Sequence, residues 1–285
     1  MKATDLYNQL ERDFVISVIE EDWYEGESVY DETFDEFVCE NFKNRSMGLL
    51  CDFADEINKV YTAVFPSDKV LMKILDDNTT DAMLFLHHPL VWDLSKDIGF
   101  YQININLLRK LKERRISLFN FHLPLDNYGE YATSKSLADA GVSIERPFAE
   151  YCGAMAGVIG TVDCKNVHEL ADRYSQVVGH KTKLYQYGES TIINKRIGVV
   201  AGGGNDEGIV NELIANGINV LVSGLSVNNS YSATAHQLET ANKINLIGGT
   251  HYSSEKYACI AICEYFGKLR LPAEFIPDVP CFEDL

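Results

Sequence analysis

Apolar and polar positions along the chain alternate between short apolar runs and amphipathic stretches. Leu6, Leu10, Phe14 and Val18 recur at helical spacing, which predicts a helix over residues 4–20. Beyond Met47 the rhythm becomes strand, helix, strand. KVYTAVF (59–65) is rich in β-formers, and Ser67 is placed to cap the helix DKVLMKIL that follows. AMLFL (82–86) and ISLFNF (116–121) suit buried strands, with the helical stretch NINLLRKLKERR (104–115) between them. TSKSLADAG (133–141) reads as a helix closed by its glycine.

The second half repeats this grammar. AMAGVIGTV (154–162), RIGVV (196–200), INVLVSG (218–224) and INLIGG (244–249) read as strands. NVHELADRYSQVV (166–178), EGIVNELIANG (207–217), SATAHQLETANK (232–243) and SEKYACIAICEYFGKL (254–269) read as helices. Strands alternating with helices of this length predict an α/β fold with mixed or mostly parallel sheets. No Pro/Gly/Ser linker interrupts the chain. We therefore expect an N-terminal helix and acidic arm (1–47) and two similar α/β halves, 48–145 and 146–285, with mixed sheets flanked by helices.

Composition narrows the function. With 46% apolar and 24% charged residues, the chain is an ordinary globular one, and its net charge is −17. So acidic a surface repels phosphate backbones and anionic lipid heads, which speaks against nucleic acid and membrane as partners. The basic cluster Arg109, Lys110, Lys112, Arg114 and Arg115 reads as the solvated face of a helix. No apolar stretch is long enough to span a membrane, and the charged N-terminus does not read as a secretory or transit peptide. Seven cysteines, none in a CxxC pair, fit a reducing, cytoplasmic setting.

Residues 20–40 hold ten carboxylates and no Lys or Arg, interleaved with Trp23, Tyr24, Tyr30, Phe34 and Phe37. Two readings stay open: a loose acidic arm, or a surface element laid on another subunit.

Six residues stand just after expected strands: His87, His88, His122, Asp126, His251 and Glu255. In open α/β sheets, ligands gather at the carboxyl ends of strands. Pro89 pushes His88 toward an extended conformation, in which neighbouring side chains diverge, so His87 and His88 can address two adjacent ions. His122 and Asp126 are four apart, as are His251 and Glu255. With a helix beginning near Ser253, Glu255 would lie on its first turn, where the dipole favours a carboxylate. His168, His180 and His236 read as ordinary hydrogen-bonded histidines. Imidazoles and carboxylates without thiolates suit zinc, iron, manganese, cobalt or nickel. A pair of such ions acidifies water and stabilises charge on an attacked group, as a hydrolase requires.

The segments GLLCDF (48–53), LFLHHPL (84–90), FHLPLD (121–126) and GGTHYSSE (248–255) resemble the ordered signatures of the NIF-three-like dinuclear metal-centre family. That family includes YbgI-like proteins and GTP cyclohydrolase I type 2 homologues, and the resemblance runs over residues 46–285. It implies two α/β halves with the metal site at strand carboxyl ends between them, in a ring-shaped homohexamer. It also implies that His88, Asp126 and Glu255 hold one ion and His87, His251 and Glu255 the other, with Glu255 bridging. His122 becomes a proton shuttle or a supporting group. The chain departs from the family where H-T-N-L-D reads His122-Leu123-Pro124-Leu125-Asp126, and it lacks both room for a middle domain and a known counterpart to its acidic arm.

VVAGGGNDEG (199–208) has the look of a phosphate-cradling loop but lacks GxGxxG and the lysine of a P-loop, so a tight strand-to-helix turn is the expected role. Two functions follow. One is a dinuclear metal-dependent hydrolase of a small nucleotide-like or heterocyclic substrate. The other is a non-enzymatic metal-binding assembly or regulatory protein.

Overall fold

The computed structural model describes residues 1–22, 30–95 and 99–285. Trp23 and Tyr24 of the acidic stretch lie outside the described residues. The chain forms two compact units. The first takes Met1–Leu125 and Cys259–Val279, and the second takes Asp126–Ala258 and Pro280–Leu285. These differ from the partition read from the sequence, chiefly because residues near the C-terminus return to the first unit and the N-terminal segment is integral to it.

The first unit is built on a five-stranded sheet of order β1-β6-β3-β2-β13. Its strands are β1 (Gly48–Cys51), β2 (Lys59–Ala63), β3 (Ala82–Leu86), β6 (Ile116–Asn120) and β13 (Ala273–Phe275), parallel except for the antiparallel edge β1. A two-stranded ribbon, β4 (Val91–Asp93) and β5 (Gly99–Tyr101), stands apart. β3 is buried at every position because both of its faces are covered, which is why it reads as an unbroken apolar run. Ala82, Leu84 and Leu86 meet Val70, Leu71 and Ile74 of one helix (Asp68–Asp76) and Leu107, Leu108 and Leu111 of another (Ile105–Glu113). On the other face Phe85 packs edge-on against Phe266 at 5.7 Å, and Tyr7 stacks on Phe119 at 5.8 Å. Ser67 caps the first of those helices through Val70 N–H, as expected.

The N-terminal helix α1 covers Ala3–Phe14 and stops short of residue 20, because Val15 turns extended and opens a β-branched run disfavoured in helices. Part of the acidic segment is core rather than loose arm. Phe34 is fully buried beside Phe42 and Leu50, and Tyr30 stacks on it at 4.8 Å. The basic run is engaged locally: Arg115 holds Asp81 through two nitrogens, and Lys112 sits over Phe37.

The second unit carries a six-stranded mixed sheet of order β7-β8-β10-β11-β12-β9. β10 (Arg196–Val200), β11 (Val220–Ser223) and β12 (Asn245–Gly248) are parallel. β8 (Ala154–Thr161), β7 (Ser143–Tyr151) and β9 (Lys183–Tyr185) add antiparallel neighbours. Sequence patterning misses β7 because Pro147 and three charges interrupt it, a composition an edge strand tolerates. One face packs on the helix Val167–Val178 through Leu170 and Tyr174, and the other on the helix Glu207–Ala215 through Val210 and Leu213. The last long helix, His251–Lys268, runs from the second unit into the first. Among the described residues no helix is long and apolar enough to cross a membrane.

Candidate metal centre

In the first unit, β3 and β6 are adjacent and parallel with Leu86 opposite Asn120, so the residues that follow them leave the sheet at one rim. His87 and His88 come directly after β3, and His122 comes two residues after β6. Main-chain bonds fix the pair: His87 N–H donates to Ala63 O and His88 N–H to Val64 O. The buried Asn120 amide donates to His87 O at 2.6 Å.

Three imidazoles meet there. Ring centroids lie 4.4 Å apart for His87 and His88, 4.7 Å for His88 and His122, and 5.1 Å for His87 and His122. One ring nitrogen from each falls within 4.8 Å of the others, close enough for this rim to take part in metal binding. His87 and His88 are therefore close neighbours with rings inclined at 68°. Phe65 stacks on His88 at 4.7 Å and Phe100 leans on it at 5.7 Å, giving that side an apolar wall.

The partners behind these rings suit metal ligation. His87 Nδ1 is 3.1 Å from Phe121 O. A carbonyl only accepts, so Nδ1 carries the proton and the lone pair of the neutral ring is on Nε2. His122 Nδ1 is 2.6 Å from Glu21 Oε1, which Leu123 N–H also approaches at 3.3 Å.

In the second unit, parallel β10, β11 and β12 bring Val200, Ser223 and Gly248 to a common end. His251 opens the last long helix and Glu255 follows one turn later, with His251 Nε2 3.2 Å from Glu255 Oε1. Both side chains are buried. The helix begins at His251, not near Ser253, so Glu255 is on its second turn. Thr250 and Ser253 cap the helix reciprocally, which moves its start forward. The carboxylate at the N-terminus is instead Asp284, which accepts His251 N–H at 2.7 Å. Asp126 accepts from Thr133 Oγ1 at 2.6 Å.

The glycine loop is the expected turn. Gly202 N–H is taken by Ser254 Oγ at 2.9 Å, and Asp206 caps the helix after the loop through Gly208 N–H. A carboxylate thus occupies the position an anionic ligand would need.

The structure brings His87, His88 and His122 together, pairs His251 with Glu255, and anchors Asp126. Sequence reasoning missed Glu21 and Asp284. Nothing in the local sequence distinguishes either one, because both reach their partners through tertiary packing. His180 bonds Ser253 Oγ, and His236 bonds Ser226 O and the Tyr187 hydroxyl, as ordinary structural histidines do.

The sequence profile of the Duf34/NIF3 (NGG1p interacting factor 3) family matches residues 28–278. A GTP cyclohydrolase 1 type 2 homolog of Borreliella burgdorferi is 25% identical over 246 residues, 84% of this chain and 89% of its own. One from Pseudomonas aeruginosa is 24% identical over 225 residues, 78% of this chain and 83% of its own. Among solved structures, protein ybgI, described as of unknown function, has a TM-score of 0.75 at 18% identity, covering 98% of this chain and 100% of that one. Reduced HcgD from Methanocaldococcus jannaschii has a TM-score of 0.65 at 20% identity, covering 98% of each chain. These structural likenesses establish a shared fold.

Proposed function

This chain belongs to the Duf34/NIF3 family, and on that premise we propose that it is a metal-dependent hydrolase holding two divalent transition-metal ions. The observation that carries this reading is the meeting of the buried His87 and His88 with the half-buried His122, with a carbonyl behind the His87 ring and a carboxylate behind that of His122. Structural histidines are seldom gathered three to a rim. No cysteine joins the set, so zinc, iron, manganese, cobalt and nickel all suit it.

His88, Asp126 and Glu255 hold one ion in this reading, and His87, His251 and Glu255 hold the other. Two cations held there would supply Lewis acidity and lower the pKa of water toward neutrality. His122 Nε2 takes and returns a proton, while His87 and His88 keep their orientation through Phe121 O and the main chain. The substrate is a small nucleotide-like or heterocyclic molecule. The relatives' name suggests ring opening of the GTP cyclohydrolase kind. The setting is a ring-shaped homohexamer in the cytoplasm.

A second reading is a non-enzymatic metal-ordered assembly. It is favoured by the apolar surroundings of His88 and by the buried Leu123 and Pro124, which stand where the family pattern H-T-N-L-D has a polar pair.

Elemental analysis of untagged native protein and Glu255→Ala tests the first reading. Two ions per native chain, lost in the variant with the fold retained, support it. No metal after reconstitution, or full stoichiometry in the variant, overturns the assignment. Metal-dependent turnover of a nucleotide panel separates hydrolase from assembly, and chelation that dissociates the oligomer without any turnover would favour the assembly.

A further inference from the structure

Glu21 sits upstream of the residues 28–278 that match the family, in the segment that leads from α1 into the acidic stretch. Its side chain is only 1% exposed. Burying a carboxylate is costly unless it is well paired, so this position calls for a reason. Its neighbours supply one. Glu21 Oε1 lies 2.6 Å from His122 Nδ1 and 3.3 Å from Leu123 N.

The delivery of Glu21 is built in several steps. Phe14, at the end of α1, packs on Phe121 at 5.9 Å and edge-on to Tyr265 at 5.1 Å. Tyr265 OH donates to Asp13 Oδ2 at 2.7 Å. The chain then turns through Ile19 N–H to Ile16 O, and Ile19 is buried. The same Phe121 gives its carbonyl to His87 and precedes His122, so one short segment carries the supporting contacts of two imidazoles.

We propose that Glu21 is a positioning residue for His122: its carboxylate accepts the Nδ1 proton and leaves Nε2 as the nitrogen the ring offers to the cluster. A carboxylate has no proton to give at neutral pH, so the Nδ1–H form is the only neutral tautomer that satisfies this contact. Free imidazole side chains prefer the Nε2–H form, and Glu21 reverses that preference. The N-terminal segment is thereby a working part of the metal centre. This inference rests on the proposed function only for its purpose; the tautomer itself does not depend on a metal.

The test is nitrogen NMR of the full-length, metal-free protein, with His122 assigned by comparison with His122→Gln. Native His122 is expected to show a protonated Nδ1 and an unprotonated Nε2. Glu21→Ala should invert this pattern. Glu21→Gln should restore it, because its amide oxygen still accepts. Elemental analysis of the same variants should show unchanged metal stoichiometry, since Glu21 acts through a ring and is not itself a ligand. An Nε2–H tautomer in native protein, or an unaltered pattern in Glu21→Ala, would overturn the proposal. So would loss of metal in Glu21→Gln with His122 unchanged, which would make Glu21 a ligand. A native protein that binds no metal but shows the switch would sink the hydrolase reading and leave the Glu21–His122 relationship standing.

Discussion

Gly202 lies so close to Glu255 that a β-carbon at position 202 would overlap the carboxylate oxygen Oε1, and it would stand 3.1 Å from His251 Nε2. The backbone there is left-handed, with φ +64°. Glycine is needed twice over, for conformation and for space. The loop after β10 thus forms the wall against which the His251–Glu255 pair is set.

Gly202→Ala should consequently displace Glu255 and strain the turn. The left-handed conformation alone costs about 1–2 kcal/mol, which lowers the melting temperature by roughly 2–4 °C per kcal/mol in a chain of this size. Metal content should fall by more than that modest destabilisation explains. Gly203→Ala is the control, since its nearest neighbour is the Tyr231 hydroxyl at 3.4 Å and not a site residue. Equal metal content in the two variants would show that the loop does not position Glu255.

Much of the architecture was legible because burial on both faces leaves an unmistakable mark. AMLFL, RIGVV and INLIGG emerge as β3, β10 and the core of β12, and Ser67 and Asn166 cap the helices that follow them. Edge strands were not legible. β7 carries Pro147 with Glu145, Arg146 and Glu150, and β9 and β13 have three residues each, too few for a period to show. The candidate ligands were legible because each follows a strand end. Their supporting carboxylates were not, since Glu21 and Asp284 reach the site through tertiary packing that leaves no local spacing to read.

Asp284 illustrates the second kind. It is fully buried and accepts His251 N–H, and its own carbonyl receives Ser226 N–H and Val227 N–H. Asp284→Ala should remove a side-chain cap from the last long helix, costing about 1–2 kcal/mol. Asp284→Asn keeps an acceptor and should lose less. Thermal melts of the metal-free variants measure this order. Metal affinity should follow it, because His251 is the residue whose main chain is released. Identical melts for Ala and native would refute the capping role.

Glu239 and His236 form a buried pair with no part in the metal reading. Glu239 is 0% exposed, and burial pushes its carboxyl up to about 8. His236 lies beside it, with Nδ1 3.3 Å from Oε2, and that nitrogen also receives the Tyr187 hydroxyl at 2.8 Å. His236 Nε2 donates to Ser226 O, so its Nδ1 is an acceptor and the pair is held neutral. Between the ordinary carboxyl value of 4.5 and about 8, the folded chain keeps a proton that the unfolded chain has released. Folding therefore weakens as pH rises through that window, by about 1.4 kcal/mol per unit at most, and is unaffected by this group below it. Burial of His236 lowers its own value and acts in the opposite sense near pH 6, so native protein alone does not isolate Glu239. Glu239→Gln does, because it retains His236. Its melting temperature should track that of native protein near pH 5 and exceed it progressively toward pH 8. A gap that stays constant across that range would mean that Glu239 ionises in the folded protein as it does in water.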